Sequence, residues 1–138
     1  MGRLMTAMPR TLETVSMTVS QADIDLYAEL TDDFNPLHVD PTFAAATPMG
    51  GTIAHGTLSV NLIWQSLART FGPAALDRFD LDIRFLKPLH AGGAIIAGGE
   101  SLAGSPGRFG VWVKDAAGAT LIAGQVALAG ARPAPAAN

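Results

Sequence analysis

A carboxylate and an imidazole stand five residues apart, at Asp33 and His38, with an Asn-Pro pair between them. Histidine has an ordinary pKa of about 6.5, close to physiological pH, whereas an accessible aspartate stays ionised. Together the two side chains can hold a water molecule, accept its proton and return a proton to a neighbouring carbon. The spacing therefore predicts general acid–base chemistry.

A second motif, His55-Gly56, precedes an apolar segment with the composition of a helix. The first amides of a helix have no intrahelical partner, and the helix dipole adds roughly half a positive charge there. A carbonyl oxygen on the Gly56 amide would be stabilised as it gains negative charge, and glycine permits a close approach. Together the two motifs predict chemistry at a carbon activated by a carbonyl group, such as that of a thioester.

Cap and turn signals place these motifs between predicted elements. The β-branched content of Leu12–Val19 predicts a strand, and Ser20 predicts the N-cap of a helix that continues through Leu30. That helix must end before Asn35-Pro36, because a residue preceding proline is disfavoured in the α region. Asp40, followed by proline, predicts the N-cap of a further short helix.

The rest of the chain predicts one long helix and a sheet. Residues 57–71 are apolar around most of the helix circumference, which indicates burial on several sides, and Gly72-Pro73 predicts the end of the helix. Alternating apolar residues at 81–85 and 109–113, separated by glycine-rich turns, predict antiparallel strands. The predicted fold class is α+β, with an antiparallel sheet folded around one buried helix.

Length and composition limit the function classes. The 138 residues predict a single domain over 11–130, with flexible ends at 1–10 and 131–138. A net charge of −3 without a basic cluster argues against nucleic-acid and anionic-membrane partners. Charged residues make up only 15% of the chain, which favours a partner subunit that covers part of the surface.

Metal, thiol and targeting signals are not found in the sequence. There is no cysteine, and the three histidines lack the spacing of a helical zinc-binding pair, so we expect neither a metal nor a thiolate nucleophile. No apolar run reaches the roughly 18–20 residues of a membrane span, and the first ten residues lack a signal-peptide pattern. The expected location is cytoplasmic.

The segments Asp33–Asp40 (DFNPLHVD) and Ile53–Leu58 (IAHGTL) resemble the signature of MaoC-like (R)-specific enoyl-CoA hydratases. Arg84–Leu89 (RFLKPL) is similar to the family's later strand that ends in a proline. The resemblance covers roughly residues 12–130. It implies a hot-dog fold, in which a curved antiparallel sheet wraps around a long central helix. It also implies reversible addition of water to trans-2-enoyl-CoA, giving (R)-3-hydroxyacyl-CoA, without a cofactor.

By this resemblance Asp33 and His38 are catalytic, activating the water and delivering the proton, and the Gly56 amide polarises the thioester carbonyl. Asn35 would hold the loop or a substrate group. The family also implies a homodimer whose two sheets join, with the acyl chain entering beside the central helix. The family often has Gly-Asp after the proline strand, where this chain has Gly92-Gly93. We expect that difference to affect the turn more than catalysis.

Several interpretations remain open at this level. His55 is either a substrate contact or, as we favour, a structural residue at the helix start, and His90 is expected to be exposed. Asn61 and Gln65 lie one helical turn apart. They are either satisfied core amides, or Asn61 faces the site, contacts substrate and orients Asp33.

Alternative functions are a 3-hydroxyacyl dehydratase for acyl-carrier-protein substrates, as one subunit of a heterodimer or alone, and a non-catalytic acyl-thioester-binding protein. A thioesterase is disfavoured because hot-dog thioesterases usually carry an acidic residue on the central helix, and residues 57–71 contain none.

Overall fold

A computed structural model describes residues 8–129, so the expectations for residues 1–7 and 130–138 lie outside the described residues. Met8, the first described residue, packs against the core. The elements in chain order are β1 (Thr11–Thr18), α1 (Gln21–Thr31), α2 (Pro36–Val39), α3 (Pro41–Ala45), α4 (Gly56–Phe71), a 3₁₀ helix (Pro73–Arg78), β2 (Phe79–Phe85), β3 (Ala94–Ser101), β4 (Arg108–Asp115) and β5 (Thr120–Leu128).

The five strands form one antiparallel sheet in the order β1-β3-β4-β5-β2, with β1 and β2 at its edges. Alternate residues of β4 (Phe109, Val111 and Val113) are buried, because successive side chains of a strand point to opposite faces. They belong to the same core as Leu62 and Leu67 of α4. The predicted α+β class, a sheet packed on one long helix, is confirmed.

Helix α4 is buried along one side rather than on several sides, which corrects the expectation from its composition. Leu58, Leu62 and Ile63 are buried, whereas Asn61 and Gln65 are exposed. Residues four apart fall on the same helix face, so the two amides share the exposed side and are not core amides. None of the helices in residues 8–129 is both long and apolar enough to cross a membrane.

Helix α1 starts and ends with defined caps. Ser20 and Asp23 form the predicted capping box, each side chain accepting a hydrogen bond from the other residue's backbone amide. The bonds to the Ser20 backbone and side chain hold the pKa of the Asp23 carboxyl below its ordinary value. At the other end Asp32 adopts a left-handed conformation with φ +56°. This turn directs the following chain towards α4.

Helix α2 was not predicted. Pro36 is its first residue, and the side chain of Asn35 accepts a hydrogen bond from the Leu37 amide as the N-cap. Proline at the first helical position loses no hydrogen bond, so the same proline that excludes continuation of α1 starts a new helix. His38 therefore lies on a one-turn helix instead of a loop. Asp40 caps α3 as predicted, by accepting from the Phe43 amide.

A glycine on β5 allows β2 to pair closely with it, and this pairing supports the site described below. A Cβ on Gly124 would collide with the Asp82 carbonyl oxygen on β2. We expect Gly124→Ala to lower the free energy of unfolding by about 1–3 kcal/mol, the usual cost of overpacking. Gly110→Ala is the matched control, because its Cβ would make an ordinary contact 3.5 Å from Leu102. Denaturant unfolding measures both, and equal stabilities of the two variants would contradict this account.

Candidate active site

The main cleft has a volume of about 530 Å³ and lies where the start of α4 meets the loop between α1 and α2. The segment that follows β2 forms the opposite wall. The lining residues are Asp33, His38, Ile53, Ala54, His55, Gly56, Thr57, Ser59, Phe85, Leu86, Lys87, Pro88, Leu89, Leu121 and Ile122. The three residues that were predicted to be catalytic therefore line one cleft.

Asp33 is positioned by the end of α1. Its amide donates to the Ala28 carbonyl (3.1 Å), which extends the helical hydrogen bonding through the left-handed turn. Its carboxylate accepts from the Asn35 amide (3.3 Å), and the side chain is exposed at the cleft. The carboxylate is thus held by local backbone geometry and remains accessible to solvent.

His38 is fixed by a backbone carbonyl across the cleft. Its Nδ1 lies 2.7 Å from the Ile53 carbonyl oxygen, which can only accept. In the neutral imidazole Nδ1 must therefore carry the proton, and Nε2 keeps a free lone pair. The backbone of His38 is also held, because Gln21 Nε2 donates to its carbonyl oxygen (2.8 Å). His38 is thereby prepared to accept a proton at Nε2.

His55 is buried between aromatic neighbours, with only 3% of its surface exposed. Its Nε2 donates to the Asp33 carbonyl (2.9 Å), and its ring stacks on His38 with centroids 3.9 Å apart. Tyr27 packs edge-on against it at 5.0 Å. The Nδ1 atom of His55 has no hydrogen-bond partner within residues 8–129. These contacts make His55 a support for both Asp33 and His38.

The acidic and basic groups are close enough to share one water molecule. One oxygen or nitrogen atom from each of Asp33, His38 and His55 lies within 4.8 Å of the others. A water that makes two tetrahedral hydrogen bonds of about 2.8 Å joins atoms roughly 4.6 Å apart. A separation of at most 4.8 Å between an Asp33 carboxylate oxygen and a His38 ring nitrogen leaves room for one bridging water that both groups polarise.

The same three residues do not suit a shared metal ion. A metal binds an imidazole nitrogen at about 2.0–2.1 Å along the lone pair in the ring plane. The His38 and His55 rings are stacked, with only 26° between their planes, so an ion in one plane would lie above the other ring. In addition His38 Nδ1 and His55 Nε2 are already occupied by carbonyl oxygens.

Gly56 is the first residue of α4, and this helix start is unlike the others. Helices α1, α2 and α3 each have a side-chain cap, whereas His55, the N-cap of α4, makes no such bond. The Gly56 amide has no hydrogen-bond partner among the described residues and lines the cleft. It is a free donor at the positive end of a helix dipole, suited to an oxygen that gains negative charge.

The remaining predicted residues lie in different places. Asn35 lies outside the cleft lining and acts as the cap of α2. Asn61 does not face Asp33 in this structure, which corrects the alternative that it orients that carboxylate. It lies in a second, smaller cleft with Tyr27 of α1, because five residues of helix rotate it about 140° away from Gly56. His90 is exposed, and its Nε2 donates to the Met49 carbonyl (2.7 Å).

Ser59 and Phe85 are among the lining positions that sequence reasoning did not assign to the site. Ser59 lies one turn after Gly56 on an otherwise apolar helix face, and it is only 4% exposed. Phe85 was taken as an alternating residue of β2, yet its side chain is 59% exposed and contacts the start of α4. The three-residue spacing of Ser59 from Gly56 could have placed it on the same helix face.

This fold and site define a hot-dog domain with an Asp–His pair beside an unoccupied helix amide. The family model described as "MaoC like domain" matches residues 5–103, and the chain belongs to that family.

Two curated relatives and one solved structure illustrate the similarity. A 3-hydroxybutyryl-CoA dehydratase from Methylorubrum extorquens is 37% identical over 58% of this chain and 51% of its own length. An (R)-specific enoyl-CoA hydratase from Rhodospirillum rubrum is 35% identical over 61% of this chain and 58% of its own length. The matches thus span little more than half of these relatives.

A solved (R)-hydratase from A. caviae, involved in PHA biosynthesis, superposes with a TM-score of 0.75 at 25% identity. The match covers 89% of this chain and 98% of the hydratase chain. The hot-dog architecture implied by the sequence is therefore confirmed.

Phe85 explains why position 56 is glycine. A Cβ on Gly56 would lie 2.6 Å from Phe85 Cε1, although the backbone at Gly56 does not have positive φ. We expect Gly56→Ala to lower the free energy of unfolding by at most about 1 kcal/mol, because the exposed Phe85 ring can move aside to admit the methyl group. In the Phe85→Ala variant, Gly56→Ala should lower the free energy of unfolding by much less, because the ring that the added methyl group would contact is gone. A double-mutant cycle by thermal unfolding measures the coupling, and additive effects would exclude this steric explanation.

Proposed function

We propose that this chain is a hydro-lyase that reversibly adds water to a trans-2-enoyl-CoA thioester, giving an (R)-3-hydroxyacyl-CoA. The observation that carries the proposal is the meeting of three groups in one cleft: the Asp33 carboxylate, the free Nε2 of His38 and the unpartnered Gly56 amide. Hydration of an activated double bond needs a base, an acid and a stabiliser of enolate charge, and these groups supply all three.

In the proposed reaction the thioester carbonyl oxygen accepts a hydrogen bond from the Gly56 amide. Asp33 and His38 hold a water molecule between them, and His38 Nε2 accepts one of its protons as the hydroxide adds to C3. The electron pair of the double bond moves towards the carbonyl oxygen, where the helix dipole stabilises it. His38 then returns the proton to C2. The water is consumed, and both catalytic groups regain their starting states.

The choice of coenzyme A and of the (R) product is supported by the relatives. The Rhodospirillum rubrum relative is named an (R)-specific enoyl-CoA hydratase, and the Methylorubrum extorquens relative is named for a CoA substrate. An acyl-carrier-protein thioester contains the same reacting atoms, so it serves as the comparison substrate in the test.

We expect Asp33→Asn and His38→Gln each to lower kcat for hydration of crotonyl-CoA by at least about 10²-fold, the usual contribution of a general acid or base. Asp32→Asn is the matched control, because asparagine tolerates the left-handed conformation that Asp32 adopts. Absorbance of the conjugated thioester follows the reaction, and chiral analysis identifies the product. The crotonyl thioester of acyl-carrier protein is assayed in parallel.

Near wild-type hydration by both variants would refute the catalytic assignment. A marked preference for the carrier-protein substrate would refute the assignment of coenzyme A while leaving the chemistry intact. Failure of the wild-type protein to hydrate either substrate would refute the hydro-lyase proposal itself.

We also propose that the active form is a homodimer in which the β2 edges of two copies pair. The other edge strand, β1, is engaged by α4, since the Glu13 amide donates to Thr70 Oγ1 and Ser66 Oγ donates to the Glu13 carbonyl. The β2 edge instead continues into Phe85 and Leu86, which are 59% and 54% exposed. A second copy on this edge would cover part of that apolar surface.

Charge specifies the register of such a two-fold pair. If Ile83 lies on the axis, Asp82 of each copy faces Arg84 of the other, whereas an axis at Asp82 would oppose two carboxylates. We expect Arg84→Asp to weaken the dimer about 10-fold, since two attractive pairs become repulsive. Adding Asp82→Arg to this variant should restore the dimer, because opposite charges then face each other again. Sedimentation velocity over a concentration series measures the association.

Arg10→Asp is the control, because it makes the same charge change next to the opposite edge strand. A monomeric wild-type protein, or a swapped variant no stronger than Arg84→Asp, would contradict this pairing.

A further inference from the structure

Ser59 has a hydroxyl in the wall of the cleft that the fold does not use. Only 4% of the residue is exposed, yet its side chain makes no hydrogen bond to any residue within 8–129, and it lines the cleft of Asp33 and His38. The Ser59 Oγ is not sealed off from solvent, so the hydroxyl is open to a molecule that enters the cleft. The other buried serine of α4, Ser66, donates to the Glu13 carbonyl. An unpartnered hydroxyl in the wall of the cleft therefore points to a ligand.

The helix geometry directs Ser59 towards the Gly56 amide. The Cα–Cβ bonds of an α-helix tilt towards its N-terminus, so a side chain three residues further on lies over the earlier residue. Ser59 stands three residues after Gly56, and both residues line the same cleft. The amide and the hydroxyl thus form two donors on one face of the first turn of α4.

We propose that the Ser59 hydroxyl is a second hydrogen-bond donor to the thioester carbonyl oxygen, beside the Gly56 amide. This assignment rests on the proposed function and makes Ser59 a catalytic residue of that reaction. Two fixed donors stabilise developing charge better than one, because neither has to reorganise when the oxygen becomes enolate-like. Since the hydroxyl has no partner among residues 8–129, it does not have to break a bond to the protein in order to donate.

Ser59→Ala should therefore separate activity from stability. We expect kcat for crotonyl-CoA to fall by about 10²-fold, as for other oxyanion donors. The thermal midpoint should change little, because the variant removes a hydroxyl that bonds to none of the described residues. Ser59→Thr, which keeps the hydroxyl, should retain far more activity than Ser59→Ala.

Ser66→Ala is the matched control, two helical turns further along the same face of α4. It removes a hydroxyl that donates to the Glu13 carbonyl, so it should lower the thermal midpoint and change kcat only a fewfold. Unchanged kcat in Ser59→Ala would overturn the assignment. A fall in kcat matched by an equal loss of thermal stability would also overturn it, because the role would then be structural.

A binding measurement separates this inference from the proposed function. Butyryl-CoA keeps the carbonyl but has no double bond, and butyl-CoA, a thioether, lacks the carbonyl. We expect Ser59→Ala to weaken the binding of butyryl-CoA about fivefold, which corresponds to the loss of one hydrogen bond, and to leave the binding of butyl-CoA unchanged. Calorimetry measures both affinities. An equal loss of affinity for both ligands, or no loss of affinity for butyryl-CoA, would overturn the role of Ser59. Failure of the wild type to hydrate any enoyl thioester would instead refute the hydro-lyase proposal.

Discussion

Two reciprocal hydrogen bonds hold the site together. His38, on the segment after α1, donates to the Ile53 carbonyl, and His55, on the segment before α4, donates to the Asp33 carbonyl. Each segment thus contributes one imidazole and accepts from the other, and the two rings stack between them. Because both bonds end on backbone carbonyls, they fix the tautomers of the rings as well as their positions. The carboxylate, the free Nε2 of His38 and the start of α4 are consequently held in one arrangement before any substrate arrives.

The assignment of Asp33, His38 and Gly56 to one site came from the resemblance to MaoC-like hydratases, and local signals placed their motifs at element boundaries. A residue before proline ends a helix, and an apolar periodic segment after His55-Gly56 starts one, so both motifs had to lie at element boundaries. The sheet was equally predictable from the sequence, because alternating apolar residues and glycine-rich turns indicate antiparallel strands directly. Such signals do not show which way a side chain points. They place a residue at a boundary without stating which wall of the cleft it joins.

The failures follow from that limit. Helix α2 was missed because a proline that stops one helix also suits the first position of the next, and only the Asn35 cap distinguishes the two outcomes. Asn61 was assigned to the site as the unusual polar residue of an apolar helix, but its side of α4 is exposed and faces α1. Ser59 was overlooked because a serine on an apolar face resembles a small core residue. Its hydroxyl becomes informative only once burial and hydrogen bonds are known together.

Several polar groups without a hydrogen-bond partner among residues 8–129 lie where the chemistry is proposed, and the buried Ser105 hydroxyl, in the turn between β3 and β4, is a further one outside the site. Helices α1, α2 and α3 are each closed by a side-chain cap, so their first amides contribute to stability. Helix α4 has no such cap. Among the described residues, no hydrogen-bond partner is found for the Gly56 amide, the Ser59 hydroxyl or His55 Nδ1. A cap worth about 1 kcal/mol was structurally available, since position 55 needed only a short polar side chain. A histidine there instead leaves the first turn of α4 open and supports Asp33 and His38, as expected of a site whose donors must be free when a substrate binds.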